Sequence, residues 1–220
     1  MIHGEAFRIA DGLRSYAALT VGRELAKGCY ALDAISFSPG DVVIDIGAHV
    51  GLVSCYLATR CPFLKIYAFE PFKGNYDNMI LNLKNNGISN VLPSNQAITC
   101  DGRTLRMMVH PTNTGGASGQ QRNLDSPDHV SFEVPSTTLD RVFEENGIVR
   151  CKLLKIDCEG SEHEILGVCS VLSKVEHLRG EFHINEHLRG KGYSIEQLLD
   201  RCKKEIHPGN IKVATITMAE

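Results

Sequence analysis

The sequence predicts a doubly wound α/β fold with a mostly parallel sheet. Residues 42–46, "VVIDI", form a short apolar run rich in β-branched side chains, and residues 152–157, "KLLKID", form another apolar run. Such runs are typical of strands that are buried on both faces. Each is followed by a segment with helical periodicity, at 51–60 and 162–172. Alternating buried strands and helices predict an open sheet covered by helices on both sides.

The other predicted elements extend this alternation. Further strands are predicted at 64–70, 90–99 and 176–184, and further helices at 15–35, 73–87, 136–147 and 195–204. Residues 104–110 and 130–134 have the pattern of paired strands around a polar loop at 111–128. Residues 205–218, "EIHPGNIKVATITM", predict a C-terminal antiparallel hairpin that turns at "PGN".

The composition is that of a folded soluble protein. Of 220 residues, 43% are hydrophobic and 22% charged, and the net charge of −3 gives no general attraction for nucleic acid. No apolar stretch approaches the roughly 20 residues that span a bilayer, and the start lacks a signal-peptide pattern. The eight cysteines contain no CxxC pair. We therefore expect a cytoplasmic protein that binds neither membrane nor nucleic acid, and leave open whether it is a monomer or a homodimer.

The turn after the first predicted strand has the features of a ligand-binding turn. Gly47 and Gly51 allow the backbone to approach a ligand closely, and the next helix presents N–H groups to an anionic part. Asp45, at the end of the strand, is expected to face a cationic or hydroxyl-bearing part. Glu70 ends the second strand, where a carboxylate can accept hydrogen bonds from both ribose hydroxyls. Together these residues predict a nucleoside cofactor.

The spacing of the glycines favours one cofactor over another. A dinucleotide site uses GxGxxG, because the pyrophosphate lies close against the turn. This chain instead has "DIGAHVG", with an acidic residue before two glycines four positions apart. That arrangement better suits the amino-acid end of S-adenosyl-L-methionine, whose carboxylate needs N–H donors and whose ammonium needs a carboxylate. A nicotinamide-dependent oxidoreductase is the less favoured alternative.

Several motifs resemble those of the FkbM family of class I S-adenosylmethionine-dependent methyltransferases. The similarity covers residues 38–184, and its most specific strings are "DIGAHVG" and "KIDCEGSE", supported by "YAFEP" and "TTLD". The resemblance implies a seven-stranded, Rossmann-like class I methyltransferase sheet and methyl transfer to a hydroxyl of a sugar, polyketide or other metabolite. It divides the chain into an N-terminal helical segment, 1–36, on the acceptor side and a methyltransferase domain, 37–220.

The resemblance also assigns cofactor-binding residues. Those at the methionine part are Asp45, Gly47, His49 and Gly51. Glu70 is expected at the ribose, and Gln96 and Ala97 beside the adenine. Asparagines recur along the helix after Glu70 and mostly indicate a polar surface, but Asn75 is expected at the cofactor.

Three residues are candidates for removing the proton of an acceptor hydroxyl. An alcohol is a poor nucleophile until a base takes its proton, whereas methyl transfer otherwise needs alignment and proximity. Asp157 and Glu159 follow the predicted strand at 152–157, and His183 lies near the end of the strand at 176–184. Oxygen ligands such as Asp157, Glu159 and Glu181 would also suit Mg²⁺, but we favour a site without metal.

The acceptor itself is not encoded in a recognisable motif. Methyltransferases that act on nitrogen often have an Asn/Asp-Pro-Pro-aromatic string where this chain has "DCEG", so oxygen is the favoured acceptor atom. The loop at 111–128 and the N-terminal helices are the expected walls of the acceptor site. The alternative from another functional class is a non-catalytic module that binds the nucleoside.

Overall fold

The chain folds into eleven strands and seven helices within residues 7–11, 17–110, 113–120 and 129–218, which the computed structural model describes. The strands are β1 (Val42–Ile46), β2 (Lys65–Phe69), β3 (Val91–Ser94), β4 (Ala97–Ile98), β5 (Leu105–His110), β6 (Asn113–Ser118), β7 (Val130–Val134), β8 (Ser136–Thr137), β9 (Cys151–Ile156), β10 (Val175–Ile184) and β11 (Ile211–Thr217). The helices are α1 (Ala17–Ala26), α2 (Leu52–Arg60), α3 (Lys73–Asn85), α4 (Leu139–Glu145), α5 (Glu162–Val168), α6 (Glu186–Gly190) and α7 (Ile195–Lys203).

The central sheet contains six parallel strands in the order β11-β10-β9-β1-β2-β3. From β1 the chain proceeds outward through β2 to β3, and from β9 it proceeds in the opposite direction through β10 to β11. The point where the direction reverses therefore lies between β1 and β9, and ligands of such sheets bind beyond the strand ends there. The predicted doubly wound α/β fold is confirmed, with six strands rather than seven in this sheet among the described residues.

The prediction of a C-terminal antiparallel hairpin is wrong. Strand β11 pairs in parallel with β10, from Leu178 opposite Ile211 to Ile184 opposite Thr217. Helices α6 and α7 and a short 3₁₀ turn connect the two strands, so residues before "PGN" belong to a helical crossover. Apolar and polar residues alternate along an edge strand in the same way in parallel and antiparallel pairing. The sequence pattern therefore could not distinguish a parallel strand from a hairpin.

A second, antiparallel sheet interrupts the alternation. Strand β5 pairs with β7 as predicted, with Leu105 opposite Val134. Strand β6 pairs with the other edge of β5 and lies inside the predicted loop at 111–128. Residues 111–112 and 121–128 of that loop lie outside the described part. This insert, β5 to β7, lies beside the carboxyl ends of the central strands.

The inner strands of the central sheet are buried on both faces. On β1, Ile44 packs into the apolar layer that contains α4, α5 and α7, whereas Val43 packs into the layer that contains α2 and α3. Both side chains are fully buried, and each such burial contributes about 1.5–3 kcal/mol. This explains why β1 has an almost continuous apolar sequence. None of the helices in the described part combines the length and apolarity that crossing a bilayer requires.

Candidate cofactor and acceptor site

A cavity lies beyond the carboxyl ends of β1, β2 and β9. The turn after β1 forms one wall, and the insert and α1 form the opposite one. The cavity thus lies at the reversal point of the sheet, which is where the sequence predicted the ligand.

The turn after β1 depends on glycine at two positions. Gly47 has φ +74°, and a Cβ there would lie 1.8 Å from the backbone oxygen of Asp157. Gly51 has φ +79°, and a Cβ there would lie 2.7 Å from Cγ of Met79. Between them His49 has φ +53°, which costs a residue other than glycine roughly 1–2 kcal/mol. The turn therefore combines a strained backbone with close packing against the segment after β9.

Glu70 fixes this turn from the neighbouring strand. Its Oε2 accepts a hydrogen bond of 2.8 Å from the His49 amide, and its Oε1 accepts one of 2.8 Å from the Phe72 amide. The residue lines the cavity but is only 4% exposed. Burial raises the pKa of Glu70 to about 7, although the backbone N–H donors oppose the rise. Oε1 also accepts from Nδ2 of Asn75 at 3.4 Å, so Oε2 is the oxygen that can accept a further hydrogen bond from a ligand.

Thr114 of β6 connects the insert to the same turn. The Nδ2 of buried Asn75 donates to the Thr114 backbone oxygen at 3.0 Å, and the Thr114 hydroxyl lies 3.1 Å from Nε2 of His49. Burial lowers the pKa of His49 to about 4, so its ring is neutral at pH 7. His49 and Thr114 line the cavity, whereas Asn75 lies behind Glu70 at 3.4 Å.

Asp45 lies behind the cavity in an ion pair with Lys155. Its Oδ1 is 3.3 Å from the Lys155 ammonium, and its Oδ2 accepts a hydrogen bond of 2.7 Å from Ser54. Lys155 also donates to the backbone oxygen of Gly47 at 2.7 Å. Burial by itself would lower the pKa of Lys155, but the carboxylates of Asp45 and Asp157 raise it. Lys155 is therefore a buried cation that holds the turn after β1 against β9.

The end of the cavity beside β3 is mainly apolar. Gln96 and Ala97, which the family resemblance assigns to the adenine, line it. Leu105 and Met107 of the insert complete this wall together with Ile98. A flat aromatic ring fits such a surface, because apolar and aromatic side chains line most small-molecule sites.

Four carboxylates surround a second opening, which adjoins the cavity near α1. We call Glu24, Asp157, Glu159 and Glu181 the acidic opening; Asp157 and Glu159 also line the cavity. Burial raises the pKa of Glu159 to about 7 and that of Glu181 to about 6. Burial also raises the pKa values of Asp157 and Glu24. The opening therefore suits cationic or hydroxyl-bearing groups.

His183 lies behind the acidic opening, and Glu162 holds it there. The Nδ1 of His183 is 3.2 Å from Oε1 of the fully buried Glu162, whose two oxygens also accept from the amides of Cys158 and Gly160. Burial by itself would lower the pKa of His183, but the hydrogen bond and charge of Glu162 raise it to about 9. The Nε2 of His183 faces Glu159 and the other carboxylates of the opening.

The structure divides the predicted site residues into two groups. The residues that line the cavity are Gly47, His49, Glu70, Gln96, Ala97, Asp157 and Glu159. Those that support the lining from behind are Asp45, Gly51, Asn75 and His183. Sequence reasoning missed the roles of Lys155, Glu162 and Thr114. A lysine inside an apolar strand was a usable signal, because a buried charge requires a partner.

Comparison with known proteins gives a family assignment. The chain matches the family described as the Methyltransferase FkbM domain over residues 45–204, well over half of its length. It is 28% identical over 165 residues to Methyltransferase sdnD of Sordaria araneosa, covering 63% of each chain. It is 24% identical over 203 residues to the 31-O-demethyl-FK506 methyltransferase FkbM of Streptomyces tacrolimicus, covering 76% of this chain and 78% of that protein.

A third relative is the Hexuronic acid methyltransferase AglP of Haloferax volcanii, 22% identical over 144 residues. That match covers 65% of this chain and 56% of the relative. The chain therefore spans less than two thirds of the length of the first and the third relative. Since the family match includes the turn after β1, Glu70 and the segment "KIDCEGSE", it coincides with the cavity walls described above. The chain belongs to the FkbM methyltransferase domain family.

Proposed function

We propose that the protein is an S-adenosyl-L-methionine-dependent methyltransferase that methylates a hydroxyl oxygen of a small molecule. The observation that carries the proposal is the cavity at the reversal point of the sheet. One end presents the ordered carboxylate of Glu70 and an apolar surface, and the other end meets the acidic opening. Family membership supports methyl transfer as the reaction.

In this proposal the cofactor lies along the turn after β1. Glu70 would hold the ribose hydroxyls, and the surface beside Ala97 would hold the adenine. The methionine ammonium would not contact Asp45, because Asp45 is buried in its pair with Lys155. The cofactor would supply the methyl group, and the acidic opening would admit the acceptor.

The acceptor enters through the acidic opening. Methyl transfer forms a C–O bond and breaks the C–S bond, so the enzyme supplies alignment and removal of the hydroxyl proton. Asp157 and Glu159 face the cavity and are the groups proposed for removal of this proton. His183 lies behind them. Oxygen as the acceptor atom agrees with two relatives' names, which refer to an O-demethyl compound and to a hexuronic acid.

The first experiment measures cofactor binding and methyl transfer separately. Isothermal titration with S-adenosyl-L-methionine should show one site, and labelled methyl should appear in a hydroxylated metabolite from a cell extract. Asp157→Asn should retain cofactor binding and lose about 10²–10⁴-fold in transfer rate. Asp200→Asn, an exposed aspartate on α7, is the matched control.

Two outcomes would contradict the proposal, and each would favour a different function. Cofactor binding without transfer to any hydroxylated pool would favour the non-catalytic nucleoside-binding module. Binding of a nicotinamide dinucleotide in place of S-adenosyl-L-methionine would favour the oxidoreductase. We also propose a cytoplasmic location, which agrees with the eight free cysteines.

A further inference from the structure

Three side chains with metal-binding atoms converge where the cavity meets the acidic opening. One oxygen each of Asp157 and Glu159 and one ring nitrogen of His183 lie within 4.8 Å of one another. Two of the groups come from the segment after β9, and the third from the neighbouring strand β10. The two carboxylates are also part of the cavity lining, so a ligand held here would face the proposed cofactor.

The ring nitrogen of His183 that faces this space has no direct hydrogen-bond partner among the described residues. The side chain is only 3% exposed, yet the nearest carboxylate oxygens to Nε2 are those of Glu181 at 3.6 Å and Glu159 at 3.7 Å. Hydrogen bonds of this kind are about 2.7–3.2 Å long. Nε2 of His183 is therefore directed at the carboxylates around this space without a direct hydrogen bond to either of them.

These atoms lie within 4.8 Å of one another, so small side-chain rotations would bring them to the separations of ligands around one ion. With metal–ligand distances of about 2.0–2.2 Å, neighbouring ligand atoms lie roughly 3.0–3.6 Å apart. The carboxylates of Asp157 and Glu159 likewise make no hydrogen bond of their own among the described residues; the closest cation to Asp157 is Lys155, at 3.9 Å. Both carboxylates can therefore turn toward an ion without giving up a direct partner.

Glu162 orients His183 for such a role. It is fully buried, and it accepts hydrogen bonds from two backbone amides while its Oε1 lies 3.2 Å from Nδ1 of His183. With Nδ1 engaged, Nε2 is directed at Asp157 and Glu159. A carboxylate that holds the distal nitrogen of a histidine is the usual support of a metal-bound imidazole.

We propose that Asp157, Glu159 and His183 bind one divalent cation, and Mn²⁺ is the probe, because carboxylate ligands suit it. Its role rests on the proposed function. With the cation bound, Asp157 and Glu159 hold the cation and do not take the proton. The acceptor hydroxyl coordinates the cation and gives its proton to the Glu181 carboxylate. The oxygen then forms the bond to the methyl carbon as the C–S bond breaks, and that electron pair remains on the neutral sulfur.

The test titrates Mn²⁺ into the full chain after treatment with a chelator and its removal. Electron paramagnetic resonance measures free Mn²⁺, and calorimetry gives the stoichiometry. One ion per chain should bind, and Asp157→Asn and Glu159→Gln should each weaken binding at least about tenfold. Glu162→Gln should weaken it about 10–100-fold through misorientation of His183.

Glu24→Gln is the control, because it removes a carboxylate from the same opening but outside the proposed ligand set. It should weaken binding far less than Glu159→Gln does. Thermal unfolding of each variant verifies that it is folded. Absence of saturable binding at millimolar Mn²⁺ overturns the inference, and so does an equal loss in Glu24→Gln, which would indicate unspecific attraction by negative charge.

Different results would contradict the metal site and the proposed function. S-adenosyl-L-methionine binding and methyl transfer are therefore also measured in excess chelator. Full transfer under that condition overturns the metal inference and leaves the proposed function intact. Stoichiometric, Glu159-dependent Mn²⁺ binding in a chain that does not bind the cofactor supports the metal site and contradicts the proposed function.

Discussion

Glu70→Gln tests the proposed ribose contact with the smallest change of shape. The carboxylate of Glu70 would accept hydrogen bonds from the ribose hydroxyls. Hydrogen bonds to a charged group contribute about 1.5–3 kcal/mol, and those to a neutral group about 0.5–1.5 kcal/mol. An amide offers only one accepting oxygen, so the variant should lose about 2–3 kcal/mol of cofactor binding. This corresponds to a roughly 30- to 150-fold weaker affinity.

The structure also predicts how the substitution affects folding. The amides of His49 and Phe72 donate to different oxygens of Glu70, and glutamine can accept only one of them. The unsatisfied N–H costs about 1–3 kcal/mol. The variant also removes a buried carboxylate that is ionised at pH 8. The pKa of about 7 implies that this ionised group lowers the free energy of unfolding by roughly 3 kcal/mol at that pH. The free energy of unfolding should therefore change little at that pH.

The assay is calorimetric titration of S-adenosyl-L-methionine at pH 8, with thermal unfolding measured in parallel. Glu145→Gln, an exposed glutamate at the end of α4, controls for the loss of one negative charge. A Glu70→Gln protein that is folded and binds the cofactor within a few-fold of the original affinity would refute the ribose assignment. A large loss of affinity in Glu145→Gln would refute the electrostatic reasoning.

Two further predictions concern pH and backbone packing. Because the pKa of Glu70 is raised to about 7, the contribution of this residue to stability is largest below pH 4.5 and decreases up to pH 7. Cofactor affinity, in contrast, should fall about tenfold per pH unit below 7, because binding needs the ionised carboxylate. Cofactor titrations from pH 5.5 to 8 should show this fall in affinity, and Glu70→Gln should not show it. Gly47→Ala should lower the free energy of unfolding in urea denaturation by about 1–3 kcal/mol more than Gly40→Ala. Both glycines have positive φ, but only at Gly47 would the new Cβ meet the Asp157 backbone, and equal losses would exclude that contact as the cause.

The parts of the fold that the sequence predicted well are those with strong local patterns. Strands β1 and β9 are buried on both faces, so their apolar runs were unambiguous. Strand β11 is an edge strand with alternating residues, and nothing local distinguishes a parallel edge from a hairpin. Strand β6, "NTGGAS", contains two glycines and no large apolar residue, and its pairing with β5 depends on the tertiary context.

The candidate site shows the same division between local and non-local information. The positions of Glu70 and Asp157 follow from the rule that parallel strands end at one edge of the sheet. The pairing of Asp45 with Lys155 depends instead on the register of β1 and β9, in which these two residues are directly opposite. The sequence therefore predicted Asp45 at the edge of the site, but its burial required knowledge of the neighbouring strand.

If the proposed function holds, the same register indicates where acceptor selectivity resides. Lys155 bonds to the Gly47 carbonyl and pairs with Asp45, so the turn after β1 and the segment that carries Asp157 form one tightly connected unit. The wall opposite this unit consists of α1 and β6, which meet where a Cβ on Gly115 would lie 3.1 Å from the Ala17 methyl group. Substitutions in the first unit should affect every acceptor equally, because they disturb the turn and the carboxylates. Larger side chains at Ala17 or Gly115 should instead change which acceptors fit.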